Sequence, residues 1–336
     1  MKTIAIIGSG VVGSATGKGF IARGAEVVFY DVRDEAIANL RGQGLEARHM
    51  DDLDVNGSDT FFFVVSTPTQ RGKINLKYLR SAVRTFGKKL RYREGYCMVV
   101  IRSTVPPKTT EDILIPLLEK ASKKRAGKDF GVAMNPEYLR ERSAEYDFRN
   151  PWVVTVGSLD QRSRQRMEDI FSDYTCKIHY VSVREAEMQK YVHNLYNAVK
   201  IAFFNEIRVV ADRVDIMPER VFDITTQSAE GFWNQEYGLK NKGPFEGTCL
   251  PKDTQAFFDW ASKELRIHMD VLEGAINANK KYGKIWYKTH EIRKEKSLPS
   301  AKAFSVLQVA PFAEHAPALS KVAQRHAFQK NRKAQD

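Results

Sequence analysis

The feature of this chain that most constrains its fold is a glycine-rich turn between a short strand and a helix. Residues Thr3–Ile7 form an apolar run typical of a buried strand, and the turn Gly8-Ser9-Gly10-Val11-Val12-Gly13 follows directly. A helical pattern continues to Ala22, and a second β run from Ala25 to Tyr30 ends in an acid about 18 residues after the last glycine of the turn. This order is the context that a dinucleotide-binding βαβ unit requires.

The residue types in the turn suit the binding of a pyrophosphate. Gly8, Gly10 and Gly13 let the backbone approach a phosphate closely, because no Cβ atom stands in the way. Val11 and Val12 lie at the start of the helix, where free N–H groups and the helix dipole create positive potential. The turn therefore predicts a phosphate-binding site.

The acid that ends the second β run bears on the choice of cofactor. Asp31 can accept a hydrogen bond from an adenosine ribose hydroxyl, and its charge would repel a 2′-phosphate. Arg33, two residues later, keeps NADP open as an alternative. The residues favour NAD.

Five further strand patterns alternate with helical or turn-rich segments. They lie at Thr60–Val65, Cys97–Ile101, Phe130–Met134, Trp152–Val156 and Ile178–Val183. This alternation predicts an α/β fold with a doubly wound, largely parallel sheet. We predict that residues 1–184 form this Rossmann-like, NAD-binding domain.

Polar residues follow two of these strands, at the edge where ligands of open α/β sheets bind. Ser66 and Thr67 come after the strand that ends near Val65, and Thr104 follows the strand that ends at Ile101. Ligand contacts and ordinary Ser/Thr-Pro turn chemistry both explain them, and the residues alone leave both open.

A third strand is followed by Asn135-Pro136-Glu137-Tyr138-Leu139-Arg140-Glu141. Glu137 and Glu141 stand four residues apart, so a helical turn would place both carboxylates on one face. Such a pair suits acid/base or hydroxyl-binding work, and a solvated charged turn is the alternative.

A long helical pattern begins near Glu185 and runs to about Val214. Apolar residues cover most of its circumference, which predicts burial in a core or in an oligomer interface. Lys190, Asn194 and Asn197 interrupt the pattern along one stripe. Aligned donors suit an oxyanion or a sugar hydroxyl. The alternative is that Lys190 extends its amine to water.

A cysteine is predicted to lie on a later loop shaped by Gly and Pro, Gly243 to Thr254, and a helical region is predicted from Asp253 to about Lys288. Lys252 lies close to Cys249, and Asp253 follows it by four residues. These surroundings suit a nucleophilic thiolate, and a buried structural thiol is the alternative.

The cysteine count and the hydropathy pattern limit the class of protein. Three cysteines are an odd number, lie far apart and form no CxxC pair, which favours a reducing compartment and disfavours structural zinc. The N-terminal run lacks the pattern of a signal peptide, and no apolar run has the roughly 20 residues of a membrane span. We predict a cytoplasmic protein with no membrane partner.

Most of the net positive charge belongs to the C-terminal segment. Residues 280–336 carry 13 Lys/Arg against 4 Asp/Glu, so they account for +9 of the total of +12. A basic segment can hold polyanions non-specifically, but a solvated extension explains it more simply. We predict a helical domain at 185–290, a loosely ordered basic tail at 291–336 and no nucleic-acid partner.

In this order, six motifs resemble those of the UDP-glucose/GDP-mannose dehydrogenase family, and the likeness covers roughly residues 1–285. The motifs are Gly8-Ser9-Gly10-Val11-Val12-Gly13, Ser66-Thr67-Pro68-Thr69, Ser103-Thr104-Val105-Pro106-Pro107, Asn135-Pro136-Glu137-Tyr138-Leu139-Arg140-Glu141, Lys190-Tyr191-Val192-His193-Asn194 and Gly247-Thr248-Cys249-Leu250-Pro251-Lys252-Asp253. The residues after the cysteine look more like the UDP-glucose and GDP-mannose branches than the N-acetylmannosamine branch.

The resemblance implies oxidation of a sugar primary alcohol to a carboxylate, with UDP-glucose as the expected substrate and two NAD used in turn. Cys249 would form a thiohemiacetal and then a thioester. The resemblance implies catalytic roles for Cys249, Lys190, Asn194, Asp253, Glu137 and Thr104. It implies cofactor contacts from Gly8, Gly10, Val11, Val12, Gly13, Asp31, Arg33, Ser66, Thr67, Thr104 and Lys252. It implies substrate contacts from Glu137, Tyr138, Leu139, Glu141, Lys190, Asn194, Phe245 and Gly247. The long helix would form the core of a homodimer.

The chain also departs from the family pattern. Glu246 precedes Gly247 where the family usually has two glycines, and Trp233 stands where the UDP-glucose branch carries an arginine. Lys108 replaces a turn glycine, and Val153 replaces an arginine. No counterpart of the family's third, nucleotide-binding domain is expected after residue 285.

Two other functions remain open from the sequence. One is a single-hydride β-hydroxyacid dehydrogenase, because that superfamily also joins a Rossmann domain to a helix with Lys-x-x-x-Asn. The other is a non-catalytic NAD-binding homologue that uses its dimer or its basic tail to bind a partner.

Overall fold

The structure, a computed structural model, describes residues 2–247 and 249–296. The described residues form two compact units, one within Met1–Trp233 and Phe257–Glu273, the other within Asn234–Ala256 and 274–296. The predicted tail at 291–336 lies outside the described residues from position 297 on. Helix formation continues through its first six positions, to Lys296.

The first unit contains an eight-stranded sheet and a separate two-stranded hairpin. The strands are β1 (Thr3–Ile7), β2 (Glu26–Asp31), β3 (Ala47–His49), β4 (Thr60–Phe63), β5 (Thr69–Gln70), β6 (Lys73–Ile74), β7 (Met98–Ile101), β8 (Gly131–Met134), β9 (Val153–Ser158) and β10 (Lys177–Val181). The sheet order is β10-β9-β8-β7-β4-β1-β2-β3, and β5 pairs with β6. The predicted doubly wound α/β fold is confirmed, with one antiparallel pair, β8 and β9, in an otherwise parallel sheet.

Helices connect and flank these strands. They are α1 (Val11–Ile21), α2 (Asp34–Gly42), α3 (Lys77–Leu90), α4 (Ile115–Ser122), α5 (Ala144–Arg149), α6 (Gln161–Ile170), α7 (Val183–Arg213), α8 (Pro218–Ser228), α9 (Glu230–Trp233), α10 (Cys249–Lys263) and α11 (Asp270–Lys296). Short helical turns of other types lie at Met50–Asp52, Thr110–Leu114 and Glu141–Ser143. None of the helices in the described part of the chain is long and apolar enough to cross a membrane.

The sheet is buried on both faces, and this explains why its strands are continuously apolar. Side chains alternate along a strand, so Phe61 and Phe63 of β4 pack into one core cluster and Phe62 packs into the other. A parallel sheet covered by helices on both sides requires apolar residues at every position of its central strands. The carboxyl ends of β1, β4 and β7 consequently meet at one edge of the sheet.

Helix α7 begins with a capping box and then leaves the sheet. The hydroxyl of Ser182 accepts from the Glu185 N–H at 3.3 Å, and the Glu185 carboxylate accepts from the Ser182 N–H at 2.7 Å. Beyond its first turns the helix exposes a row of large apolar side chains: Met188, Val192, Leu195, Tyr196, Val199, Ile201 and Val209. The helix was predicted to be buried either in a core or in an oligomer interface. For these residues, burial in the core of this chain is wrong.

The predicted helical region from Asp253 to about Lys288 consists of two helices. Helix α10 begins four residues earlier, at Cys249, and ends at Lys263, and α11 begins at Asp270. The placement of Cys249 in a loop was therefore wrong. Pro251 did not prevent the earlier start, because proline is tolerated in the first turn of a helix, where its missing N–H would have no partner.

Candidate functional site

The glycine turn joins β1 to α1 with a backbone that only glycine permits. Gly8 has φ +96°, and a Cβ atom there would lie 2.7 Å from the carbonyl oxygen of Val64. A Cβ atom on Gly13 would lie 1.9 Å from the carbonyl oxygen of Gly8. A Cβ on Gly10, by contrast, would meet no atom within 4 Å. The first and third glycines are needed by the fold, and the middle one leaves the helix N-terminus open to a ligand.

Asp31 lies at the end of β2, directly beside this turn. Its Oδ2 accepts hydrogen bonds from the N–H and the hydroxyl of Ser9, both at 2.7 Å, and its Oδ1 lies 3.2 Å from Nε of Arg33. Burial alone favours the neutral acid, but the hydrogen bonds from Arg33 and Ser9 outweigh it and lower the pKa of Asp31 to about 2. The carboxylate is therefore ionised and fixed against the turn.

These residues fit NAD. The open space at Gly10 suits a pyrophosphate, and Gly10, the N-cap of α1, is not capped by a side-chain hydrogen bond. The ionised Asp31 at the end of the neighbouring strand suits a ribose hydroxyl and disfavours a second phosphate. NAD, when bound, supplies a hydride acceptor.

The two predicted Ser/Thr loops meet at the same edge of the sheet. The hydroxyl of Thr67, after β4, donates to the carbonyl oxygen of Thr104, after β7, at 2.7 Å. Ser103 likewise donates to the carbonyl oxygen of Val65 at 2.7 Å. Ser66 is exposed next to them. The structure thus brings these loops together, and their contact with a cofactor stays a prediction.

The acidic loop after β8 is not helical, which corrects the expected pairing of Glu137 with Glu141. Residues 135–140 have no regular secondary structure, Glu137 is half-buried, and Glu141 is exposed in a short 3₁₀ turn. The physical reason is that the N–H groups of Leu139 and Arg140 donate to side-chain carboxylates, those of Glu137 and Asp147, and not to backbone carbonyls as in a helix. Glu137 instead folds back, and its Oε2 accepts from the N–H of Leu139 at 2.7 Å.

Lys190 of α7 points into this loop. Its Nζ donates to the carbonyl oxygen of Glu137 at 2.5 Å and lies 3.0 Å from Glu137 Oε1. The residue is 5% exposed, so the alternative in which Lys190 extends to water is wrong. The ring of Tyr138 lies 5.6 Å from the same ammonium, and its hydroxyl bonds to Thr155 at 2.9 Å.

The rest of the predicted polar stripe on α7 differs from Lys190 in its surroundings. Asn194 and Asn197 are both exposed, and the amide of Asn197 contacts His193 at 3.4 Å. A ligand that reaches Asn194 would therefore meet a solvent-facing amide. The ammonium of Lys190, by contrast, is already bonded to Glu137.

The cysteine stretch belongs to the second unit. Cys249 is exposed at the first position of α10, and Nζ of Lys252 lies 2.5 Å from Oδ1 of Asp253. Both partners of this ion pair are exposed. Cys249 is thus an accessible thiol at a helix N-terminus, and the alternative of a buried structural thiol is wrong.

The loop before Cys249 is fixed by a residue that sequence reasoning missed. Asn279 of α11 accepts from the N–H of Phe245 at 2.7 Å and donates to its carbonyl oxygen at 2.9 Å. Gly247 has φ +85°, which favours glycine there, and Glu246 beside it is exposed. Nothing in the helical pattern around Asn279 distinguished it from an ordinary surface amide.

Two buried charged residues of the first unit were also missed as supports of the site. Arg102, the residue directly after β7, contacts the side-chain oxygen of Asn135 and so anchors the start of the acidic loop. Glu187, fully buried in α7, accepts from the N–H groups of Lys108 and Thr110 at 2.6 and 2.8 Å. Glu187 stands three residues before Lys190, so both lie on the same side of α7. That spacing was the only feature of the sequence that could have indicated a supporting role for Glu187.

The sheet, the glycine turn and the ionised acid at the end of β2 define a Rossmann-type, NAD-binding protein. Residues 43–175 match the NAD binding domain of the UDP-glucose/GDP-mannose dehydrogenase family, and residues 184–281 match its central domain. The chain belongs to this family, whose members act as NAD-dependent nucleotide-sugar dehydrogenases.

Individual relatives agree with this assignment. GDP-mannose 6-dehydrogenase of Pseudomonas putida is 33% identical over 297 residues, which cover 82% of this chain and 67% of the relative. UDP-glucose 6-dehydrogenase of Haloferax volcanii is 29% identical over 303 residues, which cover 82% of this chain and 69% of the relative. The crystal structure of a ternary complex of GDP-mannose dehydrogenase from Pseudomonas aeruginosa superposes with a TM-score of 0.78 at 31% identity, covering 84% of this chain and 69% of that one.

Proposed function

We propose that this protein oxidises the C6 primary alcohol of a nucleotide hexose to the carboxylate through a covalent intermediate on Cys249. The observation that carries the proposal is the buried Lys190, held against Glu137 by two contacts of its ammonium. UDP-glucose, expected from the sequence, and GDP-mannose are the candidate substrates. The GDP-mannose 6-dehydrogenases, at 31–33% identity, put GDP-mannose first.

A covalent step explains why a cysteine is needed. An aldehyde has no hydride to give until a nucleophile adds to its carbonyl carbon. The C6 alcohol first loses a hydride and a proton to give the aldehyde. Addition of the Cys249 thiolate then gives a thiohemiacetal, loss of a second hydride from the same carbon gives a thioester, and water releases the acid and the thiol. NAD, when bound, would accept each hydride. The exposed position of Cys249 at the start of α10 supports access of a carbonyl carbon to its sulfur.

Lys190 has the role of stabilising negative charge on the substrate oxygen. Its ammonium is buried and its orientation is fixed by Glu137, so little reorganisation accompanies the development of charge. We propose that Asn194 donates to the same oxygen, that Asp253 acts with Lys190 in moving the proton, and that Thr104 with Glu137 positions the hydrolytic water.

The remaining substrate contacts come from two loops. We propose that Tyr138, Leu139 and Glu141 of the acidic loop bind the sugar. Phe245 and Gly247 bind it from the loop that Asn279 fixes. Lys252 completes the cofactor contacts predicted around the glycine turn and the Ser/Thr loops.

The domain division and the assembly state follow from α7. We propose an NAD-binding domain at 1–184 and a helical domain at 185–290, with α7 as the core of a homodimer. Val192, Leu195 and Val199 are each more than half exposed along the middle of α7. Apolar residues at this density on one helix favour a partner surface.

The proposed function is tested by incubating the purified full chain with NAD and either GDP-mannose, UDP-glucose or UDP-galactose. The product is identified by mass spectrometry. Formation of the uronic acid from one of the three supports the proposal. NAD binding without oxidation of any of them would favour the non-catalytic alternative, and release of only an aldehyde would favour single-hydride chemistry.

A further inference from the structure

A small cavity lies behind the acidic loop and contains a buried, incompletely paired arginine. Its volume is about 30 Å³, and its walls include Arg102, Asn135, Phe148 and Tyr174. A volume of this size exceeds the roughly 10–15 Å³ that one water requires. The cavity therefore has room for a small bound species.

Arg102 enters this cavity with few partners. It is 5% exposed, its Nη1 contacts the Asn135 side chain, and its guanidinium carbon lies 5.2 Å from the centre of the Phe148 ring. Among the described residues, no carboxylate lies within ion-pair distance of Arg102, and its Nε has no hydrogen-bond partner. A buried charge without a counter-ion is costly.

The two carboxylates in the cavity wall are already neutralised by other cations. Glu137 lies 3.0 Å from Lys190, and Asp147 lies 2.7 Å from Arg140. Each of these pairs is neutral, so the charge of Arg102 remains as one uncompensated positive charge. A single monovalent anion would balance it, whereas a water molecule would not.

A second donor without a partner lies in the same wall. Tyr174 is 8% exposed, and its hydroxyl makes no hydrogen bond among the described residues. Burial raises the pKa of Tyr174 to about 12, so the phenol keeps its proton. A hydrogen bond from this hydroxyl to an acceptor would therefore be stabilising. Arg23 covers the other side of this ring, 3.9 Å from its centre.

We propose that this cavity binds one small monovalent anion of the halide class between Nε of Arg102 and the hydroxyl of Tyr174. Two unpaired donors, one excess positive charge and a small volume together select such an ion over water or a larger oxyanion. The bound ion would support the acidic loop, because Arg102 also holds Asn135 at the start of that loop.

The direct test is a crystal of the full chain grown in sodium bromide, with data collected at the bromine absorption edge. An anomalous peak within hydrogen-bond reach of Arg102 Nε and Tyr174 Oη is expected. A clear water at that position without an anomalous signal, or an empty cavity, would overturn the proposal.

A solution test uses thermal unfolding in sodium bromide or chloride and in sodium gluconate at the same ionic strength. The halides should raise the melting temperature by roughly 3 °C. Tyr174→Phe removes one donor and should abolish at least half of this shift. Tyr96→Phe, at a half-buried tyrosine outside the cavity wall, should retain all of it. Equal melting temperatures in halide and gluconate, or an undiminished shift in Tyr174→Phe, would contradict anion binding.

Discussion

The ammonium of Lys190 is held by both the backbone and the side chain of Glu137, at 2.5 Å from the carbonyl oxygen and 3.0 Å from Oε1. The two side chains are 6% and 14% exposed, so the ion pair is largely shielded from water. A residue 53 positions away on α7 therefore fixes the acidic loop after β8. The same two residues thus stabilise the first unit and have proposed roles in the reaction.

Removing only the cation of this pair should be costly. Lys190→Met leaves the largely buried Glu137 carboxylate without its cation, so the free energy of unfolding should fall by up to about 3 kcal/mol. The double variant Lys190→Met/Glu137→Gln should regain part of this loss, while both variants lack activity. Urea unfolding of the wild type, Lys190→Met, Glu137→Gln and the double variant gives the coupling energy between the two residues. Additive effects of the two substitutions would show that the pair is not coupled.

Lys108 has φ +76°. This left-handed conformation has a higher energy for a residue with a side chain than for glycine. Lys108→Gly should raise the free energy of unfolding by about 0.5–1 kcal/mol, because the relieved strain exceeds the added flexibility of glycine. The N–H group that Glu187 binds is kept. Arg84→Gly, at an exposed position inside α3, is the control and should lower stability by about 1 kcal/mol. A loss of stability in both variants would refute this account of Lys108.

Asp31 should contribute a stability that depends on pH. Its pKa is lowered from 3.8 to about 2 in the folded state, so the contribution is present above pH 3.8 and is lost as the pH falls towards 2. It amounts to at most about 2 kcal/mol. Urea unfolding of wild type and Asp31→Asn between pH 6 and pH 3 should show a difference that narrows at acid pH. Glu26→Gln controls for the loss of an exposed charge, and a difference independent of pH would contradict the assignment.

The exposed apolar face of α7 should hold two protomers together. Val192→Glu places a charge on a side chain that is 53% exposed in the single chain, so it should halve the mass measured by light scattering after size exclusion. Leu239→Glu, at an 81% exposed leucine of the second unit, should leave that mass unchanged. A wild-type chain that is already monomeric would remove the basis for the dimer.

The sequence alone could predict the strands and the glycine turn, because their periodicity and glycine spacing are local properties. It could not predict the direction of β9, since strand direction depends on how the chain returns to the sheet. The loop around Glu137 is not helical because its N–H groups bond to the carboxylates of Glu137 and Asp147, and the spacing of the two glutamates did not indicate these bonds. The partners of Arg102 and Asn279 depend on contacts more than 30 residues away, which a local pattern does not contain.

The central claim, a two-step oxidation through Cys249, is tested most directly by counting NADH released per molecule of nucleotide sugar consumed. Two equivalents of NADH and one uronic acid are predicted for the wild type and for Cys176→Ser, which changes a cysteine outside the proposed site. Cys249→Ser should form no acid while it still binds NAD. One equivalent of NADH per substrate in the wild type, or an unchanged acid yield in Cys249→Ser, would contradict the covalent mechanism.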